Sequence, residues 1–154
     1  LGLRVPLEKT KETNNMRIII SGEGKIPSKK NRMRVYGNRM VKDKGVKDFE
    51  TELRLKALTI MSALDISPIS EPVSLHLKAV QGDKRRRDVQ NYFGSVCDAL
   101  NGVVYDDDSQ IEKISAEKVY DKGIFCYSII IEIINKQDKD DGPTRKEEGD
   151  NLSE

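Results

Sequence analysis

The sequence predicts an α+β domain, two helices packed on a mixed β-sheet, and three observations carry that expectation. Apolar residues recur at three-and-four spacing twice, over Gly45–Leu64 and Val89–Leu100. Short β-branched or alternating runs precede, separate and follow these segments, and Gly, Asn or Pro punctuates the junctions. Interleaved helices and strands of this kind form one layered domain around a shared core, and 154 residues suffice for one such domain.

The elements follow in order. Arg17-Ile18-Ile19-Ile20-Ser21, closed by Gly22 and Gly24, has the look of a buried strand. Met33–Tyr36 and Arg39–Val41 flank Gly37-Asn38, a two-residue linker of the kind that closes hairpins. From Gly45 to Leu64 the stripe Val46, Phe49, Leu53, Ala57, Ile60, Met61 and Leu64 marks an amphipathic helix, which Pro68 and Pro72 end. Val73, Leu75, Leu77 and Ala79 alternate with Ser74, His76 and Lys78, as a half-buried strand should, and leave His76, the only histidine, on the polar face. Val89, Tyr92, Phe93, Val96, Cys97 and Leu100 form the second helical stripe, with Asp88 at the N-cap position and Asn101-Gly102 as the stop. Glu112–Tyr120 and Ile124–Ile134 read as two strands around the turn Asp121-Lys122-Gly123, the last apolar on both faces and so expected to be central and covered on both sides.

Charge divides the chain unevenly. The net charge is +1, yet Lys136–Glu154 holds four basic and seven acidic residues with no apolar period, which predicts a disordered acidic tail over 136–154. Removing it leaves residues 1–135 at +4. Within them, Lys25–Lys47 holds nine basic residues against the single acid Asp43. A solvated surface normally mixes signs, so this basic arm speaks for an anionic partner. Met16 stands directly before the first strand, so residues 1–15 read as an unstructured extension and 16–135 as the domain. No apolar run reaches membrane-span length and no signal-peptide stretch opens the chain, so a cytoplasmic protein without a membrane partner is expected. Cys97 and Cys126 lack metal or redox spacing and are expected to be reduced and buried.

Two acidic clusters bracket the second helix: Asp83-Lys84-Arg85-Arg86-Arg87-Asp88 before it and Asp106-Asp107-Asp108 after it. A strand end, a helix start and a following loop can converge in space. Carboxylates gathered there suit Mg²⁺, a hard cation that prefers oxygen, and neighbouring arginines suit phosphate. Together they are equipment for phosphodiester hydrolysis. Each part also has an ordinary explanation: Asp88 as a helix cap, Asp106–Asp108 as a solvated turn, Arg85–Arg87 as an exposed loop.

Arg85-Arg86-Arg87-Asp88-Val89-Gln90-Asn91 and the run Asp98 to Ile111, with its LNG stop and its Asp107-Asp108-Ser109-Gln110-Ile111 stretch, resemble the RusA family of Holliday junction resolvases. Ile26-Pro27-Ser28-Lys29-Lys30-Asn31-Arg32 resembles the proline-and-basic segment after the family's first strand, and the likeness spans about residues 16–135. The resemblance implies a small homodimeric endonuclease that binds four-way DNA junctions and cuts them with Mg²⁺. It implies Asp88 and Asp108 as the family's essential aspartates, Asp107 as an acidic neighbour, Asn91 as retained and Lys118 as a frequent lysine of the following strand. Two positions depart from the pattern. Gln90 stands in place of the second aspartate of the RDxDN segment, and Gly94 replaces a lysine one turn along the helix. Gln90 can still offer a neutral oxygen to the metal but removes one negative charge.

Two outcomes remain open from the sequence. The site is rebuilt, with Asp106, Asp83 or Glu112 as the missing carboxylate and Lys84, Lys113 or Lys118 as the cation, or the chain keeps a junction-binding surface with weak or lost cleavage. In either case Asp88, Asp108 and Gln90 are the expected metal ligands, with Asp107 as ligand or outer carboxylate. Arg85, Arg86 and Arg87, with Lys84, Asn91 and Lys118, are expected beside the cut, and Lys29, Lys30, Arg32, Arg34 and Arg39 on the junction arms. Asp88 and Asp108 can share one Mg²⁺ only if their carboxylates lie within about 8 Å, unless the loop moves or a second subunit supplies a ligand.

Overall fold

The computed structural model describes residues 16–28, 33–42 and 44–135. The extension expected over 1–15, the tail expected over 136–154, and Lys29, Lys30 and Arg32 lie outside the described residues. The elements are β1 (Arg17–Glu23), β2 (Met33–Tyr36), β3 (Arg39–Lys42), α1 (Lys44–Ala63), β4 (Val73–Gln81), a 3₁₀ turn (Val89–Tyr92), α2 (Phe93–Leu100), a second 3₁₀ turn (Asp108–Gln110), β5 (Ile111–Tyr120) and β6 (Cys126–Ile133). They form an α+β domain with two helices on a mixed sheet, as expected. No helix among the described residues is long and apolar enough to cross a membrane.

The main sheet runs in the order β1-β6-β4-β5, and β2 and β3 form a separate hairpin around Gly37, whose φ of +59° suits glycine. β6 is antiparallel to both of its neighbours, whereas β4 and β5 are parallel and joined through α2. The sheet turns one face to the helices. On it Ile18, Ile20, Leu75, Leu77, Ile129 and Ile131 meet Leu53 and Ala57 of α1 and Val96 and Leu100 of α2 in one buried cluster. Each such large side chain contributes about 1.5–3 kcal/mol by leaving water.

Three expectations are corrected. The last two strands flank their turn as expected; they do not pair with each other, and β4 lies between them, because the apolar β6 takes a central place and the charged β5 the edge. β6 is central but not covered twice, since both helices pack on one face and Cys126, Ser128, Ile130 and Glu132 on the other stay half-buried. The second helical segment begins as a 3₁₀ turn, and Asp88 caps it through its carbonyl, which accepts from the Asn91 N–H at 3.1 Å, while its side chain makes no cap bond. Cys97 and Cys126 are free thiols, as expected, but half-buried.

Candidate active site

The parallel pair β4–β5 and the crossover between them position both acidic clusters and the arginine run. In such a unit the chain leaves the C-terminal end of one strand, returns along the helix, and enters the next strand at its N-terminal end. The segment Gly82–Asp88 therefore leaves one end of the sheet and the segment Asp106–Gln110 enters at the other.

The first end is built around close backbone packing. Gly82 sits against the turn after β5: a Cβ there would fall 2.5 Å from the Ile124 nitrogen and 2.7 Å from the Gly123 carbonyl carbon, and the Gly123 N–H donates to the Gly82 carbonyl at 2.9 Å. Asp83 then faces Arg87, whose guanidinium donates to both carboxylate oxygens at 2.5 and 3.0 Å. That guanidinium holds the Asp83 carboxyl down at about 2. Arg87 also reaches the side-chain oxygen of Gln81 at 3.5 Å, and Gln81 donates to the buried Tyr92 hydroxyl. Lys118 of β5 donates to the Arg87 carbonyl at 2.9 Å and ties the loop to the strand edge. Lys84 lies over the Tyr120 ring at 5.6 Å and Lys25 over the Phe125 ring at 4.3 Å, leaving both charges at this end. Arg85, Arg86, Asp88 and Gln90 are exposed, and Asn91 is half-buried. Among the described residues the Asp88 carboxylate has no hydrogen-bond or ion-pair partner, which leaves it available to a ligand.

The other end is an acidic turn held by Gln110. The Asp107 carboxylate accepts from the Ser109 N–H at 3.2 Å, and the Gln110 side-chain oxygen accepts from the Asp107 N–H at 2.8 Å, a reciprocal cap. Bonds from Ser109 are the main reason the Asp107 carboxyl lies below its usual range. The Gln110 amide donates onward to the carbonyls of Ile69 at 2.7 Å and Glu71 at 3.0 Å, fastening the turn to the start of β4. Asp106 accepts from the Ser70 hydroxyl at 3.0 Å. Asp108 is exposed.

The structure thus brings Asp83, Lys84, Arg85, Arg86, Arg87, Asp88 and Lys118 together, and separately Asp106, Asp107, Asp108 and Gln110. It does not bring the two groups together within one chain. From Ile111 to Lys118 β5 alone advances about 23 Å. Among the described residues no three His, Cys, Asp or Glu side chains gather to hold a metal. The donor chemistry suits Mg²⁺ at each end, but a single chain does not present Asp88 and Asp108 as one cage. Arg34 lies in β2 and Arg39, exposed, in β3, on the separate hairpin. His76 is more engaged than a solvated strand residue: it meets the Ser115 hydroxyl at 2.7 Å and Glu117 at 3.4 Å. Gln110 and Gly82 escape a reading that looks for charge; Gln110 three residues after an acidic N-cap was the available signal.

An α+β crossover with unpaired carboxylate and arginines at its helix entry and an acidic turn at its exit has the chemistry of a protein that handles phosphodiesters. The family model of endodeoxyribonuclease RusA matches residues 23–134, and the chain belongs to that family of Holliday junction endonucleases. None of the curated proteins matches the chain.

Proposed function

We propose that the protein is a Mg²⁺-dependent endonuclease that binds four-way DNA junctions as a homodimer in recombination and repair and cuts strands at the branch point. The observation that carries this reading is the exposed Asp88 carboxylate at the end of the basic run Lys84–Arg87, at the entry to α2, in a chain of a junction endonuclease family. Asp88, Asp107 and Asp108 are the acidic residues of the reaction, with Gln90 as a neutral oxygen donor beside Asp88. Mg²⁺ would supply an activated water and charge neutralisation at the leaving oxygen. Arg85 and Arg86 hold the phosphates flanking the cut, with Lys84 and Asn91 alongside. Arg87 and Lys118 act chiefly on the loop, because each is already committed to protein oxygens. The basic residues Lys29, Lys30, Arg32, Arg34 and Arg39 are assigned to the junction arms.

A second reading, a junction-binding protein with little cleavage, is favoured by Gln90 and Gly94, which remove one negative and one positive group expected from the family pattern. Cleavage of a synthetic four-way junction in Mg²⁺ separates the two. Cutting by the wild type that disappears in Asp88→Asn supports the nuclease. Binding without cutting, with cutting gained in Gln90→Asp, supports the binding protein. Equal affinity for a junction and a linear duplex would overturn both.

A further inference from the structure

We infer, resting on the reading of the chain as a protein of junction DNA, that Tyr120 is a stacking platform on which a base exposed at the branch point lies. This contact, made by a ring and not by charge, favours branched DNA over linear duplex.

Tyr120 ends β5 and is 50% accessible. In the parallel register with β4, Lys118 pairs with Ala79 and Tyr120 with Gln81, both buried on the face that carries the helices. Successive side chains alternate along a strand, so Lys118 and Tyr120 share that face, about 7 Å apart along β5. Lys118 donates to the carbonyl of Arg87, the residue before Asp88, at 2.9 Å. Tyr120 therefore opens at the strand end beside the loop that delivers the Asp88 carboxylate, and not on the bare side of the sheet.

The surroundings of the ring suit a nucleic acid. The Lys84 ammonium lies 5.6 Å from the ring centroid, and among the described residues it is the one ionic, hydrogen-bonding or ring partner of the Tyr120 side chain. A single exposed aromatic is ordinary on a protein surface. This one stands among Lys84, Lys118 and the loop that carries the exposed Arg85 and Arg86. Aromatic faces set among cations are how proteins hold unstacked bases without reading their sequence. Ile124, 47% accessible, carries the apolar surface on across the turn.

The backbone beneath the ring is fixed in advance. The Asp121 N–H donates to the Gln81 carbonyl at 3.0 Å, the Gly123 N–H to the Gly82 carbonyl at 2.9 Å and the Ile124 N–H to the Asp121 carbonyl at 3.0 Å. A mount held in place before DNA arrives loses little freedom on binding. The substrate supplies the complement. Inside a linear duplex every base face is covered by a neighbour, whereas the continuous stack is interrupted where four arms exchange strands. A tyrosine ring covers such a freed face whatever the base. Charge alone makes no such distinction, because both DNAs present phosphates.

The chain contains no tryptophan, so Tyr120→Trp places a single fluorescent reporter at the platform. In EDTA, where no strand is cut by a Mg²⁺-dependent reaction, its emission should be quenched by a synthetic four-way junction and not by a relaxed circular duplex, which exposes no base faces. Tyr120→Leu should weaken junction binding about tenfold while leaving duplex binding and the salt slope unchanged. Tyr120→Phe, which keeps the ring, should bind the junction as the wild type does. Lys84→Ala should instead weaken binding to both DNAs and reduce the salt slope by about one. Each Tyr120 variant should keep the circular dichroism and the sedimentation of the wild type. Absence of quenching by the junction, equal quenching by the circular duplex, equal loss of junction and duplex affinity in Tyr120→Leu, or altered sedimentation of that variant overturns the inference. Cleavage in Mg²⁺ is followed separately: quenching and the affinity loss without cleavage by the wild type remove the nuclease reading alone, and cleavage without quenching removes the platform alone.

Discussion

Asp83 and Arg87 show how one ion pair can remove two charges from a reactive surface. Both belong to the basic and acidic run before the helix, yet they face each other at 2.5 Å and are part-buried. With the Asp83 carboxyl held at about 2 against an ordinary 3.8, its charge stabilises the folded chain above about pH 4 and that contribution is lost as the pH falls toward 2. The difference in melting temperature between wild type and Asp83→Asn should therefore be constant from neutral pH down to about pH 5 and shrink below about pH 4. Arg87→Ala should lower stability more than Arg85→Ala or Arg86→Ala. The latter two should cost more in junction affinity and each reduce the salt slope of binding by about one, read by fluorescence titration at several salt concentrations. Asp88 is the opposite case, a helix-entry carboxylate whose side chain is spared from capping because the backbone carbonyl does that work.

At the scale of the elements, two short connections hold the site in place. Gly82→Ala would drive a methyl into the backbone at Gly123 and Ile124, so denaturant unfolding should show a loss of about 1–3 kcal/mol. Gln110→Ala would strip the bonds that fasten the acidic turn to Ile69, Glu71 and Asp107, at a cost of about 1–3 kcal/mol and with cleavage lost beyond what the stability change explains. α1, the start of β4 and the helical nature of Phe93–Leu100 were legible because they rest on local periodicity: Val46, Phe49, Leu53, Ala57 and Met61 are buried where the stripe predicts. The 3₁₀ entry to α2 was not legible, since the chain there follows tertiary anchors, the buried Tyr92 bonded to Gln81 and the Arg87 carbonyl bonded to Lys118.

For the whole molecule, the core and the charge pattern act independently. Leu53→Ala, at the point where α1 meets the sheet, should cost about 2–5 kcal/mol in chemical unfolding, with the junction preference of the remaining folded protein unchanged. Junction affinity itself should fall steeply between low and physiological salt, because the cations of the basic arm and of the loop before α2 release counterions from DNA. The net charge of +1 hides this disposition.

By itself the sequence determined the α+β composition, the two amphipathic helices, the separation of basic arm from acidic tail, and the residues of both acidic clusters. All of these depend on neighbours along the chain: periodicity of burial, turn chemistry and the order of side chains. The tertiary structure alone decided the strand order, the edge position of β5 and the placement of Asp88 and Asp108 at opposite ends of the β4–β5 pair. Strand pairing joins residues far apart in the chain, and a parallel crossover sends the two ends of its helix to opposite ends of the sheet. The nineteen residues between Asp88 and Asp108 therefore carry the chain from one end of the sheet to the other.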